Sequence, residues 1–207
     1  MTDRQVKTLL IAIPLTLIAI FVYDRIDFGS KNGIIKTAEA HPVNKTVFVD
    51  TTNKEYLKMK LVNIYSGEIG VRELTGNNDG ARVEEYLASC GLGKGYAWCA
   101  AFVNWCFMKV DIKGGGAYSP NWFPVTKTIY TNGNRSNKIP TQADVFGIWF
   151  NEKNRIAHVG YIDEWTDGGD YCITVEGNTN EGGSRDGDGV YRKRRLKSQV
   201  YKVCRWL

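Results

Sequence analysis

The sequence predicts an α+β domain with helices first and an antiparallel sheet after them. Between residues 54 and 110 apolar side chains recur at helical spacing. Beyond residue 115 the texture changes to short runs rich in β-branched and aromatic residues, separated by Gly, Asp and Asn. Helices followed by strands, rather than the two alternating, argue against a parallel sheet built from βαβ units. With 207 residues, 43% hydrophobic and 24% charged, the chain has material for one packed domain and an appendage.

The appendage comes first. "TLLIAIPLTLIAIFVY", residues 8–23, carries no charge and follows the basic-tipped "MTDRQVK". Sixteen residues is short for a membrane span, for which roughly 20 are usual and about 17 the lower edge. A cleaved signal peptide has a similar start, but the only A-x-A-like site, "AEA" at 38–40, lies far past the apolar run. The preferred reading is therefore a cytoplasmic tail and uncleaved transmembrane helix over residues 1–23. It would leave the rest of the chain anchored at the membrane, in the periplasm or outside the cell. Residues 24–53, polar and mixed with Gly29, Ser30, Gly33 and Pro42, read as a tether, and residues 54–207 as the folded domain.

Within that domain "KEYLKMKLVNIYSGEIG" places Leu57, Leu61, Ile64 and Tyr65 on one helix face. "GNNDG" is a loop, and "ARVEEYLASCG" is a second helix capped by Gly91. A third helix is expected from about Trp98 to Val110, stopped by "KGGG". The strands are "ADVFGIWF", "IAHVGYIDEW", "YCITVEGN", "GVYRKRRL" and "QVYKVCRWL", spaced as a meander of hairpins. Trp122, Trp149 and Trp165 are available to line a groove or to fill the core, the core being the plainer reading.

The formal charge is +5, much of the excess lying in "YRKRRLKSQVYKVCR". Such a strip suits an anionic polymer or membrane, or is simply a solvated strand face. No groove-reading motif accompanies it, so nucleic acid is not an expected partner. The five cysteines include no C-x-x-C pair or Cys/His cluster, so no metal site or cofactor is expected. Asp79 in "NNDG" is a single carboxylate, too little for a hard cation. Cys172 and Cys204, in two strand-like segments, could pair if the domain is exported.

Chemistry concentrates at "GLGKGYAWCAAFVNWCF", residues 91–107. A cysteine where a glycine-rich loop becomes a helix sits among backbone N–H groups without intrahelical partners and at the positive end of the dipole. Both favour thiolate, the nucleophilic form, and the same N–H groups can hold an oxyanion. Glycines ahead of it would let a substrate approach the backbone. Cys106, seven residues on, is better explained by packing. His41 falls in the tether, so His158 in "IAHVGYI" is the one imidazole of the domain, with small Gly160 beside it on the same strand face. "VEGNTN" adds Glu176 and Asn178, two apart and on one side of an extended chain. Either could accept from the imidazole and fix its tautomer, and their order is left open.

"GYAWCAAFVNWCF", "ADVFGIWF", "AHVGYI", "VEGNTN" and "GDGVYRKRR", in that order, resemble the CHAP family, the cysteine, histidine-dependent amidohydrolases/peptidases. The resemblance spans roughly residues 55–205. It implies a papain-like fold, related to that of NlpC-type wall hydrolases, and cleavage of amide bonds in peptidoglycan. It further implies that Cys99 is the nucleophile and His158 the base, with Glu176 orienting it and Asn178 in support. Asp144, in the "ADV" that matches the family's "GDV", would be a turn or structural carboxylate, and Tyr96, three before the cysteine, is either a contributor to the oxyanion hole or a packing residue. The expected function is thus a monomeric, membrane-tethered thiol hydrolase, an N-acetylmuramoyl-L-alanine amidase or a stem or cross-bridge endopeptidase. The setting would be phage or bacterial lysis, wall upkeep or a secretion apparatus. The alternatives are an amidase on a non-wall substrate and a silent wall-binding module.

Overall fold

Among the described residues three α-helices lead into one six-stranded sheet. The computed structural model describes residues 51–134, 137–182 and 187–207, with backbone alone for Thr51 and Thr52. The expected anchor and nearly all of the expected tether lie outside the described residues. Among the described residues no helix is long and apolar enough to cross a membrane.

Helix α1 (Thr51–Gly67) starts slightly ahead of the expected Lys54 and buries Leu61 and Tyr65, with Leu57 and Ile64 half-buried beside them. Helix α2 (Ala81–Ala88) buries Val83, Tyr86 and Leu87. It closes where Gly91, at φ 73°, donates its N–H to Ala88 O at 3.0 Å, the left-handed residue that the glycine supplies without steric cost. Helix α3 (Cys99–Met108) differs in kind: every side chain from Cys99 to Phe107 is buried. A helix apolar all round belongs in the middle of a molecule, and α3 is the axis on which the others pack. Tyr86 and Tyr161 both lie edge-on to Phe102, with centroids at 5.4 and 6.1 Å, and Tyr161 stacks on Tyr65 at 4.6 Å.

Helix α3 ends before the expected Val110, and not because of the glycines. The chain leaves it through Asp111 at φ 58°, with Ile112 N–H returned to Phe107 O at 3.0 Å. The glycine run serves packing instead: a Cβ on Gly115 would lie 3.0 Å from Cγ and Cδ1 of the buried Trp122. That close approach brings the segment leading to Ser119 against the body.

The strands are β1 (Thr128–Thr131), β2 (Val145–Phe150), β3 (Arg155–Trp165), β4 (Tyr171–Thr179), β5 (Gly189–Leu196) and β6 (Lys202–Cys204). Their order across the sheet is β1-β6-β2-β3-β4-β5, and all pairings are antiparallel. The meander expected from the sequence is β2 to β5. Strand β6 then returns to pair with β2, and β1 forms the edge. "TIYT" is too short to have been recognised as a strand, and it exists because β6 offers it a partner. Val145, Val159, Tyr161 and Val175 join the helices in one core, whereas Phe146, Ile162, Cys172 and Val203 form a smaller cluster of their own. The alternation of adjacent residues between the two clusters is the period of a pleated strand with both faces covered.

All five cysteines are free. Cys172 on β4 and Cys204 on β6 have β3 and β2 between them, which at about 4.8 Å per strand leaves them well beyond disulfide reach. The basic strip is largely engaged within the fold. Arg192 pairs with Asp163 at 2.9 Å, Arg194 lies 3.5 Å over the Tyr171 ring, and Lys197 donates to Thr166 O at 2.6 Å. Lys193 donates to Thr179 Oγ1 at 3.2 Å.

Candidate active site

Cys99 stands at the first turn of α3, nearly closed off by its surroundings. The first intrahelical bond is Phe102 N–H to Trp98 O at 2.8 Å, so the N–H groups of Cys99, Ala100 and Ala101 precede the ladder. The helix start is fixed from β4 in two ways. Asn178 Oδ1 accepts the Trp98 N–H at 3.1 Å, a cap supplied by a distant residue because Trp98 has none of its own. Beside it, Gly177 lets α3 lie directly on the strand: a Cβ there would be 2.7 Å from the Trp98 ring and 2.9 Å from Phe102 Cβ. The Trp98 indole N–H also donates to Glu73 Oε1 at 2.8 Å.

His158 comes from β3, next to a bulge. Ile148 pairs with His158 and Trp149 with Ile156, which leaves Ala157 as the extra residue, and a bulge here re-aims the strand at the site. His158 Nε2 bonds Glu176 Oε2 at 2.7 Å, with both side chains buried. With Nε2 so engaged, Nδ1 is the ring nitrogen left for the thiol. Gly160 makes the arrangement possible, because a Cβ on it would come within 2.9 Å of Glu176 Cγ and 2.8 Å of Val175 O.

Glu176 has further partners. Arg195 on β5 engages both carboxylate oxygens, Nη2 to Oε2 at 2.5 Å and Nε to Oε1, and Thr174 Oγ1 donates to Oε1 at 2.5 Å. All three residues are buried. Burial would raise the carboxyl pKa, but Arg195 and then His158 outweigh it and hold the group well below the usual carboxylate range. Burial would likewise lower His158, yet the hydrogen bonds and charges of Cys99 and Glu176 raise it above an ordinary imidazole. The Cys99 thiol is pushed up by burial and brought down further by His158, with help from Ser119 and the Val159 backbone, to a value below that of a free thiol. A lowered thiol facing a raised imidazole favours the thiolate–imidazolium form of the pair. By contrast burial leaves Cys106 far above the ordinary range, a packed and unreactive thiol.

The structure thus brings the four sequence-predicted residues together and separates their positions. Glu176 holds the imidazole, while Asn178, at φ 54°, bonds Trp98 N–H, Asn78 Oδ1 and Gly187 O and ties α3 to the loops around it. Two expectations do not hold. Tyr96 is largely exposed and is not among the residues of the cleft, and neither are Gly91, Gly93 and Gly95. Asp144 accepts from Thr141 N–H at 2.7 Å and from Arg205 at 2.7 and 2.9 Å, a turn carboxylate pinned to the residue that follows the last strand. Asp79 serves the loop in the same way, accepting from Thr75 N–H at 2.9 Å and Thr75 Oγ1 at 2.7 Å.

Other residues escaped the sequence reading. Ser119 Oγ is 3.7 Å from the sulfur, delivered by the 3-10 turn Ser119–Trp122 far along the chain. Arg195 was one of many cations in a strip, and only the β4–β5 register, Cys172 opposite Arg195, shows it beside the Glu176 strand. Its period-2 position with Tyr191 and Lys193 was the available signal. A cleft of about 180 Å³ opens on Cys99, His158, Ser119 and Asn178, and is bordered by Lys153 and Arg155.

Residues 91–178 match the family model described as CHAP domain. No curated protein matches the chain. Among solved structures, the P60 domain of an antigen from M. avium paratuberculosis is 12% identical over 76% of this chain and 98% of that one, at a TM-score of 0.45. The peptidoglycan hydrolase RipB of Mycobacterium tuberculosis is 12% identical over 74% of this chain and 66% of its own, also at 0.45. The NlpC/p60 domain of the peptidoglycan hydrolase SagA is 13% identical over 72% and 97%, at 0.39. The model match runs from the loop before α3 to Asn178, less than half of the chain, and so takes in Cys99, His158 and Glu176 but stops short of Arg195.

Proposed function

We propose that the protein is a thiol hydrolase of peptidoglycan amide bonds, with Cys99 as nucleophile, His158 as base and acid, and Glu176 as the group that orients the imidazole. The observation that carries this reading is a cysteine at a helix N-terminus, lowered by a histidine that is itself held by a buried carboxylate, opening on a cleft. The CHAP match supports the wall as substrate.

In this mechanism the Cys99 thiolate attacks the scissile carbonyl and the carbonyl electron pair moves to oxygen. The Cys99 N–H precedes the helical ladder and would receive that oxyanion, whereas the Trp98 N–H is already given to Asn178. Ser119 Oγ, beside the sulfur, is the second donor. The His158 imidazolium passes its proton to the leaving amine as the C–N bond breaks. Neutral His158 then takes a proton from water, hydroxide adds to the thioester, and thiolate leaves as the acid product forms. Arg195 keeps Glu176 ionised throughout, so the carboxylate holds the ring without accepting its proton. We further propose that the N-terminal segment anchors the chain so that this domain faces the wall.

The test is digestion of purified sacculi by the full chain and by Cys99→Ala, with the new termini identified by mass spectrometry. New amide-cleavage products from the wild type alone are expected, and their ends name the bond. No release from sacculi of several chemotypes by folded, reduced protein would sink the proposal.

A further inference from the structure

The cleft beside Cys99 is electrostatically one-sided. Lys153 closes the 3-10 turn Asn151–Lys153, Asn154 reverses the chain at φ 49°, and Arg155 opens β3, the strand that carries His158. Both cations border the same cleft as the sulfur and the imidazole, and no Asp or Glu lines it among the described residues. Arg155 is held in place: its guanidinium lies 5.1 Å over the Tyr118 ring, and Nη1 donates to Ile156 O at 3.1 Å. Tyr118 is itself a cleft residue, so the ring and the guanidinium form one wall. Among the described residues neither Lys153 nor Arg155 pairs with a carboxylate, unlike Arg192, Arg195 and Arg205, each of which does.

This positive charge is not needed for the thiol. Cys99 is lowered by His158, Ser119 and the Val159 backbone, and the thiolate–imidazolium pair is neutral overall. Two cations with no carboxylate partner among the described residues, set against a small cleft, suit an anion on the substrate. The planar guanidinium matches a carboxylate in two-point geometry, and a peptide substrate carries that group as a free side chain or terminus.

We propose that Lys153 and Arg155 bind a free carboxylate next to the scissile amide, so that the enzyme selects acid-bearing peptides over their amidated counterparts. The proposal rests on the hydrolase reading above and names the substrate feature that this site discriminates.

The experiment uses the full chain and two synthetic peptides containing the bond identified in the sacculus digest, alike except that the nearest free carboxylate is amidated in one. Wild type is expected to favour the acid by about 10- to 100-fold in kcat/KM, the range of one or two charge-assisted hydrogen bonds. In Arg155→Gln the acid-to-amide ratio is expected to fall to near one, and in Lys153→Gln to fall part of the way. A ratio near one in wild type, with both peptides cleaved, overturns the proposal and leaves the hydrolase reading standing. So does a ratio unchanged in both variants. If wild type cleaves neither peptide nor sacculi, both readings fall together. Near-ultraviolet circular dichroism of each variant establishes that the change is not unfolding.

Discussion

In the proposed mechanism the reactivity of Cys99 depends on three side chains from three elements: the sulfur on α3, the imidazole on β3 and the carboxylate on β4. Each perturbs the next, and the signs decide the pH dependence. Thiolate is lost as pH falls through the lowered value of Cys99, and the imidazolium is lost as pH rises through its own value of about 9. The rate should therefore be bell-shaped, with an acid limb below the ordinary thiol range and an alkaline limb near 9. Alkylation of Cys99 by iodoacetamide, followed against pH, reads the acid limb directly. A reaction that begins only near the pKa of a free thiol would show that the ion pair does not form. Cys90, half-buried, is raised by burial and serves as the internal contrast.

At the scale of elements, what matters is how α3 is laid on β4. Gly177 and Asn178 do this in adjacent positions, one by having no side chain and the other by capping Trp98 N–H across the fold. Gly177→Ala would force Trp98 or Phe102 to move by several tenths of an ångström, at a cost of about 1–3 kcal/mol. Because the displaced turn carries Cys99, activity should fall by more than the stability loss explains. Urea unfolding and sacculus digestion on the same preparation measure the two effects. Full activity in a stable variant would mean that the helix start tolerates movement. In the sequence "VEGNTN" offers two candidate partners for one histidine. That Asn178 faces the helix start rather than the imidazole depends on its positive φ and on the β4–β5 bulge beside it, neither of which is written locally.

Across the whole molecule, the site is closed by the hairpin partner of β4. Arg195 reaches Glu176 only because β5 folds back in a register that sets it opposite Cys172, and residues 91–178 do not include it. Arg195→Leu would leave a buried carboxylate with one cation fewer. The expected loss is about 3–5 kcal/mol of stability, the range for breaking a buried pair by removing one partner. Chemical denaturation checks it, and a loss under 1 kcal/mol would show that His158 alone balances Glu176.

Order along the chain was enough for the fold class, for the helices and main strands, and for the coincidence of Cys99, His158 and Glu176. Periodicity, caps and turn residues act over a few neighbours, so they are written locally. The edge strand β1, the donors Ser119 and Arg195, the packing role of Gly115 and the cations bordering the cleft were not legible in this way. Each depends on which distant segment lies opposite, and that is decided by sheet register and by burial against α3. The basic residues that composition assigns to one strip are divided by the tertiary fold into a buried ion pair and surface contacts, while Lys153 and Arg155, outside that strip, border the cleft. A charge acquires its role from the dielectric and the partners around it, and those exist only once the chain has folded.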